Sequence, residues 1–210
     1  QFEKELLAAR QLPEYLLDAF KRLPQTADPM DVLQASVALL AVSDPDLLDD
    51  SREANVRKAM RLISRLPVAV AAWHRIRQGL EPLPSDDSLS HAANFLWQLT
   101  GQKPDKGTAR DFDICLILHA DHTFNASTFA CREVVSTQAH MYAGVAAGVG
   151  ALSGSLHGGA NARVMEMLSQ VEAEVKSLDE VANWVQSRID RGEKIMGMGH
   201  AVYKTYDPRA

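Results

Sequence analysis

The chain has 210 residues, of which 46% are hydrophobic and 23% are charged, and this composition argues against disorder because such a chain can bury a sizeable core. The formal net charge is −5, and no long run of like charges occurs. The sequence therefore has no electrostatic footprint for nucleic acid or an anionic membrane surface, and we expect small-molecule partners.

A first helix is predicted from Asp28-Pro29, where a capping residue precedes a proline in the first turn. This helix should end before Pro45, since proline cannot continue it. The apolar residues that share its predicted inner face are Met30, Leu33, Val37 and Leu40.

A long amphipathic helix is predicted from Val56 onward, because apolar residues recur every three to four positions. Pro67 should kink this helix. The members of the apolar stripe are Val56, Met60, Ile63, Leu66, Val70, Trp73 and Ile76.

Two further helices follow, and their end signals are clear. One should run from about Ser88 to Leu99 with Gly101 just past its end, and Thr108 should cap the next. The expected inner residues of the first are Leu89, Ala92, Ala93, Leu96 and Leu99. Residues 139–155 are rich in Ala, Gly and Val, which allows close approach of another helix.

The predicted fold class is all-α, because no stretch shows sustained apolar and polar alternation bounded by turn residues. The most apolar stretch, Met141 to Leu152, is about a dozen residues long, whereas a membrane helix needs about 20. Cys115 and Cys131 lack metal or disulfide spacing and are predicted to be buried free thiols, which fits a reducing cytoplasm.

Four of the seven histidines lie in three short stretches, residues 118–122, 155–161 and 197–203. His119, Asp121 and His122 could ligate a metal, since residues three apart on a helix share a face. The simpler interpretation has His119 hydrogen-bonded in the core and His122 at a helix end. We therefore expect no metal site, and keep the metal-binding alternative open.

His157 precedes two glycines and a helical run, which places it at or near a helix N-terminus. The positive end of the helix dipole disfavours an imidazolium there. A neutral imidazole can donate a hydrogen bond to a developing enolate oxygen, which is the task of an electrophile. Gly197-Met-Gly-His200, in contrast, is no dinucleotide-binding loop, because it lacks a preceding strand, a third spaced glycine and a following helix.

Three motifs occur in the order found in the citrate synthase family, and together they resemble the bacterial type of that family. They are His119-Ala-Asp-His122 with Asn125-Ala-Ser-Thr-Phe129, then Gly150-Ala-Leu-Ser-Gly-Ser-Leu-His157-Gly-Gly-Ala-Asn161, and then Gly197-Met-Gly-His200-Ala-Val-Tyr-Lys-Thr-Tyr-Asp-Pro-Arg209. Weaker similarity at residues 29–33 and 94–101 extends the resemblance over essentially the whole chain.

The resemblance implies a helical homodimer in which each subunit has a large domain and a small mobile domain, with the active site in the cleft between them. Residues 1–156 would belong to the large domain, and residues 157–210 would form the junction and the first part of the small domain. The chain starts at Gln1 and stops within the third motif, so we expect truncation at both ends.

The resemblance also implies an acyltransferase that condenses acetyl-CoA with oxaloacetate and water, giving citrate and CoA through an enolate. By motif position, His157 would stabilise the acetyl-CoA enolate and His200 would polarise the oxaloacetate carbonyl. His122 and Arg209 would bind oxaloacetate, and arginine suits this because its fork can grip a carboxylate with two hydrogen bonds.

The CoA side would be lined by Ile195, Met196, Gly197 and Met198, and acetyl-CoA would be a co-substrate, with no tightly bound cofactor. The family's catalytic base is an aspartate that would lie beyond Ala210, so the isolated piece should have little activity. Two alternatives remain at this point. One is a 2-methylcitrate synthase that uses propionyl-CoA, and the other is a non-catalytic helical binding protein.

Overall fold

The computed structural model describes residues 2–121, 123–199 and 205–206. Over these residues the secondary structure consists of ten helices and no strand, which confirms the predicted all-α class. The helices are α1 (Phe2–Ala8), α2 (Glu14–Arg22), α3 (Pro29–Ala41), α4 (Arg52–Ile76), α5 (His91–Thr100), α6 (Lys106–Ala120), α7 (Ala126–Ser136), α8 (Met141–Ser153), α9 (Gly159–Glu174) and α10 (Leu178–Asp190). None of the helices described is both long and apolar enough to cross a membrane.

Contacts divide the chain into two compact units, Gln1–Ala151 (unit 1) and Leu152–Ala210 (unit 2). Within unit 1, α4 packs against α1, α2, α3 and α5, and α5 packs against α6. The domain boundary after Leu156, expected from the family resemblance, stays a prediction.

The start of α3 confirms the prediction made at Asp28-Pro29. The Asp28 carboxylate accepts a hydrogen bond from the Met30 backbone N–H at 2.7 Å, and the helix ends at Ala41, before Pro45. Val37 and Leu40 of the predicted inner face are fully buried.

The long helix α4 begins at Arg52, with the Ser51 side chain capping the Ala54 N–H, and it continues through Pro67. The predicted apolar stripe is only partly correct. Val56 and Ile63 are about half exposed, at 51% and 50%, whereas Met60 and Trp73 are buried. The buried face also carries small and polar residues, because α4 has several helices packed around it. Its buried members are Ala54, Lys58, Met60, Leu62, Ser64, Val68, Ala69, Ala71, Ala72 and Trp73.

Helix α5 begins at His91 after the cap Ser90, later than predicted, and ends at Gly101 in the left-handed conformation, as predicted. Its inner face includes Ala92 and Ala93 but also the buried amides of Asn94 and Gln98. These amides hydrogen-bond to each other at 2.9 Å, and Gln98 donates to the Leu83 carbonyl at 3.0 Å. The α5 face therefore holds the 83–86 segment through polar contacts as well as apolar ones.

Helix α6 is capped by Asp105, and the prediction of Thr108 as its cap is wrong. The Asp105 carboxylate accepts from the backbone N–H groups of Gly107 and Thr108, at 2.7 and 3.0 Å. It also accepts from the Thr108 hydroxyl, which places Thr108 in the first turn.

The core of unit 1 is built by α2, α3, α4 and α8. Fully or nearly fully buried members include Leu16, Phe20, Val37, Leu40, Trp73 and Tyr142. Cys115 is exposed and Cys131 is half-buried, and both are free. The prediction that both thiols are free is confirmed. The prediction that Cys115 is buried is wrong, because it lies on α6, a helix with no buried residue in the described chain.

A buried ionic cluster joins α4, α8 and the segment after α3. Arg61 donates two hydrogen bonds to the Asp44 carboxylate, at 2.7 and 2.8 Å, and the Tyr142 hydroxyl donates a third. Asp46 accepts from Arg57 and Arg61. Burial alone would raise the pKa of Asp44, but the hydrogen bonds from Arg61 and Tyr142 outweigh it and hold this pKa below its ordinary value.

Helix α8 packs closely against α7 at two glycines. A Cβ at Gly144 would lie 2.5 Å from Val135 Cγ1 and 3.1 Å from the Cys131 carbonyl oxygen, and one at Gly148 would lie 3.2 Å from the Ser127 carbonyl oxygen. The small residues expected in 139–155 therefore serve a helix contact within the chain.

Asp44→Asn should lower the free energy of unfolding by about 2–3 kcal/mol near pH 7, because hydrogen bonds to a buried charge are lost while Arg61 keeps Asp46. The folded-state pKa of Asp44 is depressed, so its stabilisation is full above the unfolded-state value of about 4 and disappears as the pH falls through the folded-state value. Urea unfolding across pH should show a constant difference between the original chain and the variant above about pH 5 and a shrinking one below about pH 4.

The control is Asp18→Asn, an exposed carboxylate on α2, which should change stability by less than about 0.5 kcal/mol. An Asp44→Asn variant as stable as this control would contradict the role given to the cluster.

Gly144→Ala should destabilise the chain by about 1–3 kcal/mol, although alanine favours helix, because the new methyl group overlaps Val135 and approaches the Cys131 carbonyl. The double variant Gly144→Ala, Val135→Ala should lose less than the sum of the two single changes. Thermal unfolding of the four proteins measures this coupling, and strict additivity would show that the two side chains do not compete for space.

Candidate active-site elements

The structure describes one of the four histidine and arginine side chains assigned to the site. His157 lies within the described residues, whereas His122, His200 and Arg209 lie outside them. Their convergence on one pocket therefore stays a prediction. The geometry of the described neighbours can be given for each unit separately.

His157 lies in a four-residue turn, 155–158, that leads directly into α9. Its backbone N–H donates to the Gly154 carbonyl at 2.9 Å, and its carbonyl accepts from the Ala160 N–H at 3.3 Å. The side chain is half-buried. This confirms the prediction that His157 lies near a helix N-terminus, where backbone N–H groups and the positive end of the dipole are concentrated.

Gly158 is the N-cap residue of α9 and leaves no space for a side chain. A Cβ there would lie 2.6 Å from the Leu152 carbonyl oxygen and 2.7 Å from Leu152 Cδ1. The sequence left open whether the two glycines serve ligand approach or packing. At Gly158 the structure shows packing, which fixes the turn beside His157.

The segment predicted to line the CoA side follows α10. It turns tightly, since the Met198 N–H donates to the Ile195 carbonyl at 3.2 Å, and Gly197 and Gly199 have φ of 83° and 81°. A Cβ at Gly197 would lie 3.1 Å from Val164 Cγ2 on α9, so this segment contacts the helix that His157 precedes. Ile195 is half-buried, whereas Met198 is 76% exposed.

Charged and aromatic residues fix the end of α10 before this segment. The Arg188 guanidinium lies 4.1 Å from the centre of the Trp184 ring, and Glu193 pairs with Arg188 and Arg191 at 3.5 and 2.6 Å. The hydrogen bond from Arg191 to the Glu193 carboxylate raises the pKa of Arg191. The sequence pattern did not predict these contacts, because residue spacing does not show that Glu193, after Gly192, folds back towards α10.

In unit 1, the residues around the first histidine motif form the junction between α6 and α7. Asp121 ends α6 and accepts a hydrogen bond from the Thr123 N–H at 3.0 Å. Thr123 has a φ of 61°, which a β-branched residue rarely adopts. Asn125 caps α7 by accepting from the Thr128 N–H at 2.8 Å. Part of this motif therefore has a structural task.

His119 is exposed, which corrects the expectation that it packs in the core. Its Nδ1 lies 2.7 Å from the Cys115 carbonyl oxygen, so the expected hydrogen bond is present. Among the described residues, no group of three His, Cys, Asp or Glu side chains could hold a metal ion. The metal alternative involved His122 and stays open, because that residue lies outside the described part.

The chain matches one protein family over its whole length. The sequence profile described as "Citrate synthase, C-terminal domain" matches residues 1–210. Citrate synthase of Synechocystis is 44% identical over 212 residues, which cover 100% of this chain and 52% of that protein. Citrate synthase of Haloferax volcanii is 43% identical and is covered to 55%, and 2-methylcitrate synthase of Mycobacterium tuberculosis is 39% identical and is covered to 51%.

Solved structures agree with the sequence relatives. Citrate synthase from Pyrobaculum aerophilum superimposes with a TM-score of 0.87 at 37% identity, over 100% of this chain and 53% of that one. A ternary complex of the Thermoplasma acidophilum citrate synthase with carboxymethyl coenzyme A and oxaloacetate gives a TM-score of 0.81 at 32% identity, over 99% and 53%. The chain spans about half the length of the relatives it matches. On both the sequence match over residues 1–210 and the shared helical fold, this chain belongs to the citrate synthase family.

Proposed function

We propose that the protein containing this chain condenses acetyl-CoA with oxaloacetate and water to give citrate and CoA. The observation that carries the proposal is His157 in the turn before α9, beside a glycine that admits no side chain, in a chain of the citrate synthase family. A related citrate synthase has been solved with oxaloacetate and a coenzyme A derivative bound, which supports both substrates.

In this proposal His157 donates a hydrogen bond to the thioester oxygen of acetyl-CoA as an aspartate removes a methyl proton. The negative charge that develops on this oxygen is stabilised by a preorganised donor, an effect that typically lowers a barrier by about 2.7–4 kcal/mol. The expected aspartate lies beyond Ala210, and Ile195, Met196, Gly197 and Met198 line the CoA side. Acetyl-CoA is a co-substrate, and no tightly bound cofactor is needed.

The enolate carbon then attacks the oxaloacetate carbonyl. His200 polarises that carbonyl and protonates the new alkoxide, and His122 and Arg209 hold the oxaloacetate. Water hydrolyses the resulting citryl thioester, which releases citrate and CoA. The roles of His200, His122 and Arg209 are assigned from their positions in the motifs that resemble the family.

A second candidate is the condensation of propionyl-CoA, because a 2-methylcitrate synthase is among the relatives at 39% identity. Propionyl-CoA is one methylene larger, and a hydrophobic pocket discriminates such a difference by only about 1–3 kcal/mol. We favour acetyl-CoA because residues 204–207, Lys-Thr-Tyr-Asp, are more similar to the citrate synthase branch.

We also propose a homodimer located in the cytoplasm. The small residues Gly144 and Gly148 of α8 face α7 of the same chain, so they do not support a contact between subunits. Helix α6 offers a better surface, because it presents exposed apolar residues on successive turns, and such patches mark interfaces. They include Ile114, Ile117 and Leu118, which are 39%, 64% and 37% exposed. Two free cysteines fit a reducing compartment.

His157→Ala should reduce kcat for citrate formation by about 10²–10³-fold, because one donor to the developing oxyanion is lost. The assay follows release of the CoA thiol by the protein containing this chain, with oxaloacetate and either acetyl-CoA or propionyl-CoA. A higher kcat/KM for acetyl-CoA supports the first function, and a higher value for propionyl-CoA supports the second.

His74→Ala is a matched control, since His74 is a partly buried helical histidine with a hydrogen bond to Gln78 and no assigned role. Its turnover should match that of the unmodified protein. If His157→Ala also turned over normally while folded, His157 would not be the enolate donor.

Ile117→Asp should convert a dimer into a monomer, because a charge would be buried at the α6 surface. Light scattering coupled to size exclusion measures the mass. Leu178→Asp places the same charge at a residue that is 90% exposed in unit 2 and should leave the mass unchanged. A dimer that persists in Ile117→Asp would exclude this face of α6 as the interface.

A further inference from the structure

Arg10 is a buried cation that the proposed reaction does not use. Arg10 lies in the link between α1 and α2, and the residue is only 2% exposed. The surrounding backbone is fixed from α4, since Ser64 donates to the Leu6 carbonyl at 2.8 Å and Arg65 donates to the Ala9 carbonyl at 3.1 Å. The Arg10 position is therefore part of the folded framework of unit 1.

The guanidinium of Arg10 is poorly compensated. It contacts the carbonyl oxygens of Asp86 and Leu89, each at 3.4 Å, which is long for an N–H···O hydrogen bond. Within the described part of the chain no carboxylate lies within 4.0 Å of it, and the carboxylates whose charges act on it are those of Asp87 and Glu3. A buried charge that has only long hydrogen bonds and no anion in direct contact is costly, so Arg10 can gain from a bound anion.

Arg10 lines a cavity of about 470 Å³ whose remaining wall is mainly apolar. This volume lies within the range of about 300–1,000 Å³ that is usual for small-molecule sites. The apolar wall includes Leu7, Leu12, Leu17, Val68, Leu83 and Pro84. Gln98, a polar lining residue, already donates to the Leu83 carbonyl and to the Ser85 hydroxyl, at 3.0 and 3.3 Å.

We propose that this cavity binds a small organic carboxylate with an aliphatic tail. The carboxylate accepts hydrogen bonds from the Arg10 guanidinium, and the tail covers the leucine and proline wall. Arginine binds carboxylates with charge-assisted, often bidentate, hydrogen bonds. The site lies within unit 1 and is independent of the condensation proposed for the histidines.

The other charges near Arg10 set the selectivity of the site. Burial lowers the pKa of Arg10, and the carboxylates of Asp87 and Glu3 raise it. Both acidic residues are exposed, and Asp87 lines the cavity. Water and salt screen exposed charges. The two carboxylates therefore weaken the attraction of Arg10 for an anion but do not cancel a direct hydrogen bond. His91, half-buried nearby, has a pKa lowered by burial and by the charge of Arg10, which favours its neutral form.

Octanoate is the probe, and isothermal titration calorimetry of the protein containing this chain is the measurement. We expect saturable binding of octanoate and much weaker binding of 1-octanol, which lacks the charge, and of acetate, which lacks the tail. Arg10→Met should weaken octanoate binding at least about tenfold, because a hydrogen-bonded charge pair is lost. Asp87→Asn should strengthen it about twofold to fivefold by removing a repulsive charge.

Arg10→Met should also keep or raise the midpoint of thermal unfolding, because an apolar side chain replaces a buried charge whose hydrogen bonds are long. This outcome separates lost binding from lost folding. Arg22→Met, which removes an exposed arginine of α2, should leave octanoate binding unchanged. If Arg10→Met does not fold, two other results test the proposal. They are the relative affinities of octanoate, 1-octanol and acetate, and the effect of Asp87→Asn on octanoate binding. Absence of saturable octanoate binding, or equal binding by 1-octanol, would overturn the proposal.

Discussion

The carboxylate of Asp44 ties together three parts of unit 1 that are distant in the sequence. Its side chain is fully buried, and it accepts hydrogen bonds from Arg61 on α4 and from Tyr142 on α8. Taking a carboxylate and a guanidinium out of water costs several kcal/mol for each ion, so only close hydrogen-bonding geometry makes such a pair tolerable. Here the two hydrogen bonds from Arg61 and the one from the Tyr142 hydroxyl supply this geometry. The same geometry fixes the first turn of α8 against α4.

The position of α8 has consequences along the rest of the helix. Gly144 and Gly148 allow it to lie against α7 at a distance that side chains would prevent. Each glycine weakens the helix by up to about 1 kcal/mol, which the close packing has to offset. The same helix continues to Ser153 and is followed by the turn that contains His157. A packing requirement and a candidate catalytic residue are therefore adjacent in the chain.

Two kinds of polar residue are buried in this protein. The Asp44 cluster is compensated within the fold, and so are the amides of Asn94 and Gln98. Arg10 is the contrasting case, since its carbonyl contacts are long and it faces a cavity. In unit 2, the turn before α9 and the segment after α10 are organised by glycines and backbone hydrogen bonds. Membership of the citrate synthase family gives these two segments their proposed place in an active site.

Local signals in the sequence determined the helical class, the cap at Asp28, the stop at Gly101 and the helix start after His157, because caps, glycines and apolar spacing act over a few residues. The family also followed from the order of three motifs. Tertiary structure alone decided which face of α4 is buried, that Cys115 is exposed, and that Asp44 pairs with Arg61 and Tyr142. Those outcomes depend on which helices meet, and Asp44 and Tyr142 are separated by 98 residues, so no local pattern could encode their contact.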